Sequence, residues 1–201
     1  QVKLIDAMGG DHSAVQAARV STKGAASLGE QPGGERLIGF LMREKHEVPF
    51  EHIVFTFYIE APIFVTRQLL KHRITSISET SGRYRELDGD FYVPSVDRPV
   101  KQVGKTGDYR FESDVSMSQI ARIEIRDASR KAWATYTNML DAGISKEVAR
   151  VVLPTNLYSS MYMSINARSL MNLLNLRTSD TGSHPQYEIE LVAKQMEELF
   201  A

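Results

Sequence analysis

Arg67, Lys71, Arg73, Arg83 and Arg85 crowd into one short stretch in which Glu79 is the only acid. The chain as a whole is nearly neutral, with 24 Lys plus Arg against 25 Asp plus Glu and a net charge of -1. The cluster is therefore a local anion site; the whole chain has no global field for gathering a polyanion, and no nucleic-acid partner is expected. On a helix, Gln68 and Lys71 are three apart and Arg67 and Lys71 four apart, so they project together. His72 and Arg73 fall at the C-terminal end of that helix, where cations complement the dipole. Such charges also cap helices and solvate their surfaces, so the case for chemistry rests on the loop that follows. Ser78-Glu79-Thr80-Ser81-Gly82-Arg83-Tyr84 supplies hydroxyls, a glycine that permits close backbone approach, a guanidinium fork and an aromatic ring. That inventory suits a small phosphorylated ligand.

The cysteine count is zero, which removes disulfides, thiolate metal sites and cysteine nucleophiles. The histidines, His12, His46, His52, His72 and His184, have neither HExxH nor any other tight ligand spacing, so no metal is expected. A third class, a non-catalytic nucleotide- or RNA-binding protein using the arginine loop alone, stays open on these residues.

The elements that must position this cluster come from periodicity. Strands are predicted over 2–7, 52–59, 91–93 and 155–165, and helices over 13–20, 35–45, 62–72, 116–140, 146–152, 167–176 and 185–200. Pro62 suits a first helical turn. A loop rich in Gly, with Pro, is expected around 31–34, an ordered loop over 74–85, and a polar, partly mobile excursion over 95–114. Ile120, Ile123, Ala128, Ala132 and Tyr136 supply the predicted apolar face of the longest helix, with Gly143 just beyond its end. Arg168, Asn172 and Asn175, at i, i+4 and i+7, form a polar stripe on the helix over 167–176. Tyr158, Met161, Tyr162 and Met163 read as strand core. Strands and long helices mix without regular βαβ alternation, so the class is α+β, with a mixed or antiparallel sheet. At 201 residues, with 42% hydrophobic and 24% charged residues, one domain over 1–201 is expected. The apolar runs are too short to span a bilayer and the first residues lack a secretory pattern, so the expected location is cytoplasmic.

Lys71-His72-Arg73, seven residues, then Ser81 is similar to the Arg-His-Arg, seven residues, Ser signature of the flavin-dependent thymidylate synthase family. Ala17-Ala18-Arg19-Val20-Ser21, Pro49-Phe50-Glu51-His52, Pro62-Ile63-Phe64-Val65, Glu147-Val148-Ala149-Arg150 and 166–177 resemble it too. The resemblance implies an α+β fold and a homotetramer with active sites shared between subunits. It also implies bound FAD, dUMP and methylenetetrahydrofolate, with NADPH as reductant. Carried over residue by residue, Gln68, Lys71, Glu79, Ser81, Gly82, Arg83 and Arg150 match positions that hold dUMP. Arg177 matches the arginine that favours ionisation of the pyrimidine and is the implied catalytic residue. His46, Lys71, His72, Arg73, Glu79, Asn166, Arg168 and Asn172 match flavin contacts. The family's first signature Arg is Lys71 here, which keeps the charge and loses the planar fork. Val48 stands where the family often has Thr. The missing cysteine agrees with the family's chemistry on an independent point, because a thiolate mechanism has no thiolate to use.

Overall fold

The computed structural model describes residues 1–29, 33–105 and 108–200. Gln31 of the expected Gly- and Pro-containing loop and Gly107 of the polar excursion lie outside the described residues. The chain divides into two compact units, Gln1–Ala61, Val65–Glu79 and Ser160–Ala201 forming the first and Pro62–Phe64 with Thr80–Ser159 the second.

The first unit holds a four-stranded sheet. β1 (Val2–Met8), β2 (Val54–Pro62), β3 (Thr75–Glu79) and β6 (Tyr158–Asn166) lie in the order β1-β2-β6-β3. β1 pairs antiparallel with β2, with an irregularity between Leu4 and Asp6, and β3 pairs antiparallel with β6 from Thr75↔Ile165 to Glu79↔Met161. Between β2 and β6, Thr56 bonds Ser164 and Tyr58 bonds Ser160. Advancing along one strand means retreating along the other, so this pair is antiparallel too. Alternation explains β2 and β6: Phe57, Ile59, Met161, Met163 and Ile165 are buried. Tyr162, expected in the core, points the other way and is exposed.

The helices that accompany this sheet are α1 (Asp11–Lys23), α2 (Glu35–Arg43), α3 (Ile63–Leu69), α6 (Ala167–Arg177) and α7 (Tyr187–Phe200); α7 packs against β1 and α2 against α1. α6 buries Ala167, Leu170, Leu173 and Leu174, and packs on α7. Asn166 caps it, its side-chain oxygen accepting from the Ser169 N–H at 2.8 Å. A second cluster joins Ala14, Leu41, Phe50, Ile53 and Ala167, with Phe55 and Phe200 against it.

Two further expectations fail around this sheet. β3 replaces part of the loop expected over 74–85. Thr75-Ser76-Ile77-Ser78-Glu79 carries one apolar residue, and as an edge strand it takes its register from β6 rather than from its own pattern. Pro62 closes β2 rather than sitting inside α3, and α3 ends at Leu69 in a turn through His72, three residues short of the predicted end.

The second unit is built on α4 (Val115–Asp141), α5 (Lys146–Ala149) and a hairpin, β4 (Lys101–Lys105) with β5 (Asp108–Glu112). Asp114 starts α4 by accepting from the Met117 N–H at 3.1 Å, which holds its carboxyl below the usual carboxylate range. The hairpin occupies part of the polar excursion expected over 95–114. Val103, Tyr109 and Phe111 give it alternation, and Gly104 at φ 104° is needed because a Cβ there would lie 2.3 Å from the Asp108 carbonyl. The expected strand over 91–93 is a single bridge, Phe91 to Leu157.

α4 corrects the predicted apolar face. Its buried residues are Ser118, Ser129 and Tyr136, eleven and seven apart, whereas Ile120 and Ile123 are exposed. The serines fit because their hydroxyls are satisfied: Ser129 donates to the Ile125 carbonyl and accepts from the Asn156 amide. Among the described residues no helix is long and apolar enough to cross a membrane.

Candidate functional site

In the first unit, α3 and its C-terminal turn display Arg67, Lys71 and Arg73, all exposed and with no ion pair among the described residues. His72, between the last two, is half-buried and meets Arg177 from the end of α6. The Arg177 Nε donates to His72 Nε2 at 3.4 Å. A guanidinium cannot accept, so that ring nitrogen must be unprotonated. Burial, and then the Arg177 charge, push His72 below its usual 6.5, in agreement with a neutral imidazole. With Nε held by the ring, the two terminal amino groups of Arg177 keep their donors.

Glu79 ends β3, where Thr66 on α3, itself buried, donates to its Oε1 at 3.4 Å. Gln68 donates to Gln186 at 2.5 Å. Thr66 and Gln186 are absent from the residues singled out by sequence. Nothing in local spacing marks them, because Gln68 on α3 and Gln186 just before α7 are brought together only by the tertiary fold.

His46 and Arg168 border a second feature of this unit, a cavity of about 450 Å³ that Ala17, Ala18, Leu41, Val48 and Pro49 also line. His46 is exposed, its ring edge-on to Phe40. Lys45, at φ 56°, ends α2 in the left-handed conformation and turns the chain toward the cavity rim. Arg168 is bound by two carboxylates, donating from Nε to Glu47 at 3.0 Å and also to Glu51. These bonds raise its pKa further, Glu51 most. Two of its five N–H donors are committed and the rest remain. Asn172 and Asn175 share the exposed side of α6 with Arg168 but do not line the cavity, and Asn166 spends its side-chain oxygen on the helix cap.

In the second unit, Ser81, Gly82 and Arg83 form a tight turn. Ser81 Oγ accepts from the Arg83 N–H at 3.3 Å, and the Ser81 carbonyl accepts from the Tyr84 N–H at 3.1 Å. Gly82 is buried under Arg150: a Cβ at Gly82 would lie 3.2 Å from the Arg150 Cδ and 2.8 Å from the Leu87 Cδ1. Sequence separates Gly82 and Arg150 widely, and the fold stacks them. Arg150 is half-buried with no ion pair among the described residues, whereas Arg83 donates to Glu147 at 2.9 Å and Arg85 to Asp88 at 2.8 Å. Tyr84 is exposed, its ring 5.7 Å from the Arg83 guanidinium carbon.

In each unit the exposed or half-buried cations and hydroxyls suit an anionic ligand. The first unit offers unneutralised cations, an oriented guanidinium and a cavity with apolar walls and a charged rim; the second, by itself, offers a turn in which a glycine lies against an arginine stem. No group of three His, Cys, Asp or Glu side chains that could hold a metal occurs among the described residues.

Comparison with known proteins gives this site its context. The family model described as thymidylate synthase complementing protein matches residues 3–201. The flavin-dependent thymidylate synthase of Tropheryma whipplei is 47% identical over 207 residues, covering 99% of this chain and 86% of that protein. That of Thermotoga neapolitana is 45% identical over 199 residues, covering 99% and 84%. Among solved structures, the UMP/dUMP methylase PolB from Streptomyces cacaoi, bound with 5-Br dUMP, matches with a TM-score of 0.94 and 44% identity over 100% of this chain and 89% of that one.

Proposed function

This chain is an enzyme, a methyltransferase belonging to the flavin-dependent thymidylate synthase family, and we propose that it converts dUMP to dTMP by reductive methylation. Methylenetetrahydrofolate is the carbon donor, FAD the hydride carrier and NADPH the reductant, and residues 1–201 act as one catalytic domain. When bound, the flavin supplies the hydride equivalent that a chain without cysteine cannot replace by thiolate attack.

The observation that carries the proposal is the half-buried Arg177 guanidinium held at Nε by a neutral imidazole. A donor pre-aligned in this way stabilises negative charge developing on a pyrimidine, without reorganising as the charge appears. Ser81, Gly82, Arg83 and Arg150 are assigned to the nucleotide phosphate. The reasons are the Ser81 hydroxyl and the Arg83 guanidinium carried by one turn, the close seat of the Arg150 stem on Gly82, and an Arg150 charge with no ion pair among the described residues. Glu79, steadied by Thr66, and Gln68 with Lys71 complete the dUMP contacts. His46, His72, Arg73, Asn166, Arg168 and Asn172, again with Lys71 and Glu79, are assigned to FAD. The 450 Å³ cavity supports this for His46 and Arg168. Asn166 can take part through its amide N–H groups while its oxygen stays on the cap. The homotetramer with shared sites rests on the family resemblance; Val115, Ile120 and Ile123, which α4 leaves exposed, supply apolar surface for self-association.

The test is one anaerobic cuvette. Bound flavin bleached by NADPH, and reoxidised only when dUMP and methylenetetrahydrofolate are both added with dTMP formed, is the expected result. A protein that takes up no flavin yet binds dUMP would overturn it in favour of a nucleotide-binding protein, the reading that Lys71 in place of the signature arginine favours.

A further inference from the structure

Glu188 sits in the first turn of α7 and is buried, with 7% of its surface exposed. Gln186, just before that helix, donates from Nε2 to Glu188 Oε2 at 2.9 Å. Gln186 Oε1 in turn accepts from Gln68 Nε2 at 2.5 Å. An amide can be turned end for end at little steric cost, so its orientation has to be dictated by a partner that is not itself ambiguous. A carboxylate is such a partner, because it only accepts. Facing it, Gln186 must present its amino group, which leaves its carbonyl outward. Facing that carbonyl, Gln68 must present its own amino group.

We infer that Gln186 and Glu188 are positioning residues for substrate binding: the buried carboxylate fixes, through two amides, which end of Gln68 meets the nucleotide. Gln68 then offers its carbonyl oxygen and one remaining N–H in a set order, and a ligand whose donors and acceptors are reversed meets a mismatch. Glu188 stands in the N-terminal turn of α7, where the helix dipole complements a carboxylate. The inference rests on the assignment of Gln68 to dUMP made above.

The experiment is a double-mutant cycle on the flavin-loaded enzyme, reading dUMP affinity, kcat, flavin content and thermal midpoint. Glu188→Gln keeps shape and removes the acceptor-only character. Gln186→Ala, at an exposed position, removes the link without disturbing the core. Either change is expected to weaken dUMP binding about five- to tenfold, the scale of one net hydrogen bond, with kcat and flavin content nearly unchanged. Combined with Gln68→Ala, neither should add a further loss, because all three act through one contact. Additive losses, or a lowered thermal midpoint with dUMP affinity intact, would overturn the relay while leaving Gln68 in place. If Gln68→Ala itself leaves dUMP affinity unchanged, both the assignment of Gln68 and the relay fall. Formation of dTMP by the unaltered enzyme still decides the reaction separately.

Discussion

Arg83 and Arg85 each meet a carboxylate, whereas Arg67, Lys71 and Arg73 meet none among the described residues. The two groups look alike in the sequence and differ in what surrounds them. Paired arginines contribute little lasting field. Because both pairs are solvent-exposed they are also weak, on the order of 0–1 kcal/mol, and a phosphate can exchange for the carboxylate. The unpaired group keeps its field and depends on a ligand to neutralise it. Arg177 shows a third arrangement, a cation whose partner is a neutral ring that aims it without cancelling its charge.

The largest test of this contrast is Arg177→Ala. Turnover is expected to fall about 10²- to 10³-fold, the usual loss when one transition-state donor is removed, with flavin retention unchanged. Single-turnover flavin reoxidation in the presence of dUMP and folate reads it, and a normal rate would move the charge-stabilising role elsewhere.

Next comes the paired and unpaired comparison itself. Replacing Lys71 and Arg73 by Ala should weaken flavin or dUMP binding by roughly 10- to 100-fold, as expected for lost charge-assisted contacts. Arg85→Ala should stay within about twofold because its charge is already matched by Asp88. Equal effects in an equilibrium titration would erase the distinction.

Gly82→Ala probes the stacked arginine. The new methyl forces the Leu87 end and the Arg150 stem to shift, at a cost of about 1 kcal/mol in urea unfolding. The loss of dUMP affinity should exceed that of stability if Arg150 is a ligand contact.

The smallest expected effect is on pH. His72 has a folded-state pKa below its usual 6.5, so above that value it is neutral in folded and unfolded chains alike. As pH falls below 6.5 the unfolded chain takes up the proton first. The His72 contribution to stability therefore declines until the folded-state pKa is passed, and then levels. Activity should hold through that window and decline only at lower pH, as the folded-state pKa is passed and the imidazole loses its acceptor for Arg177. A His72→Gln variant that titrates identically would remove His72 from this account.

Much of the frame was legible beforehand, and the misses have separate causes. The helices over residues 116–140, 167–176 and 185–200 were readable because each carries several turns of sustained pattern. β3 was not, since an edge strand with a single apolar residue borrows its register from β6. The hairpin of β4 and β5 was hidden by its polarity, which suits exposed strands as well as it suits a loop. On α4 the isoleucines drew attention away from Ser118 and Ser129, whose burial depends on partners that no period reveals.

By itself the sequence determined the chemistry that was possible: no thiolate, a local surplus of cations, a signature motif and the helices to carry them. Those follow from residue type and short spacing, which the chain fixes before it folds. Only the tertiary structure decided which cations are cancelled, that a neutral His72 aims Arg177, and that Arg150 lies on Gly82. Charge state, hydrogen-bond direction and close approach belong to pairs of residues far apart in the chain, and folding creates those pairs.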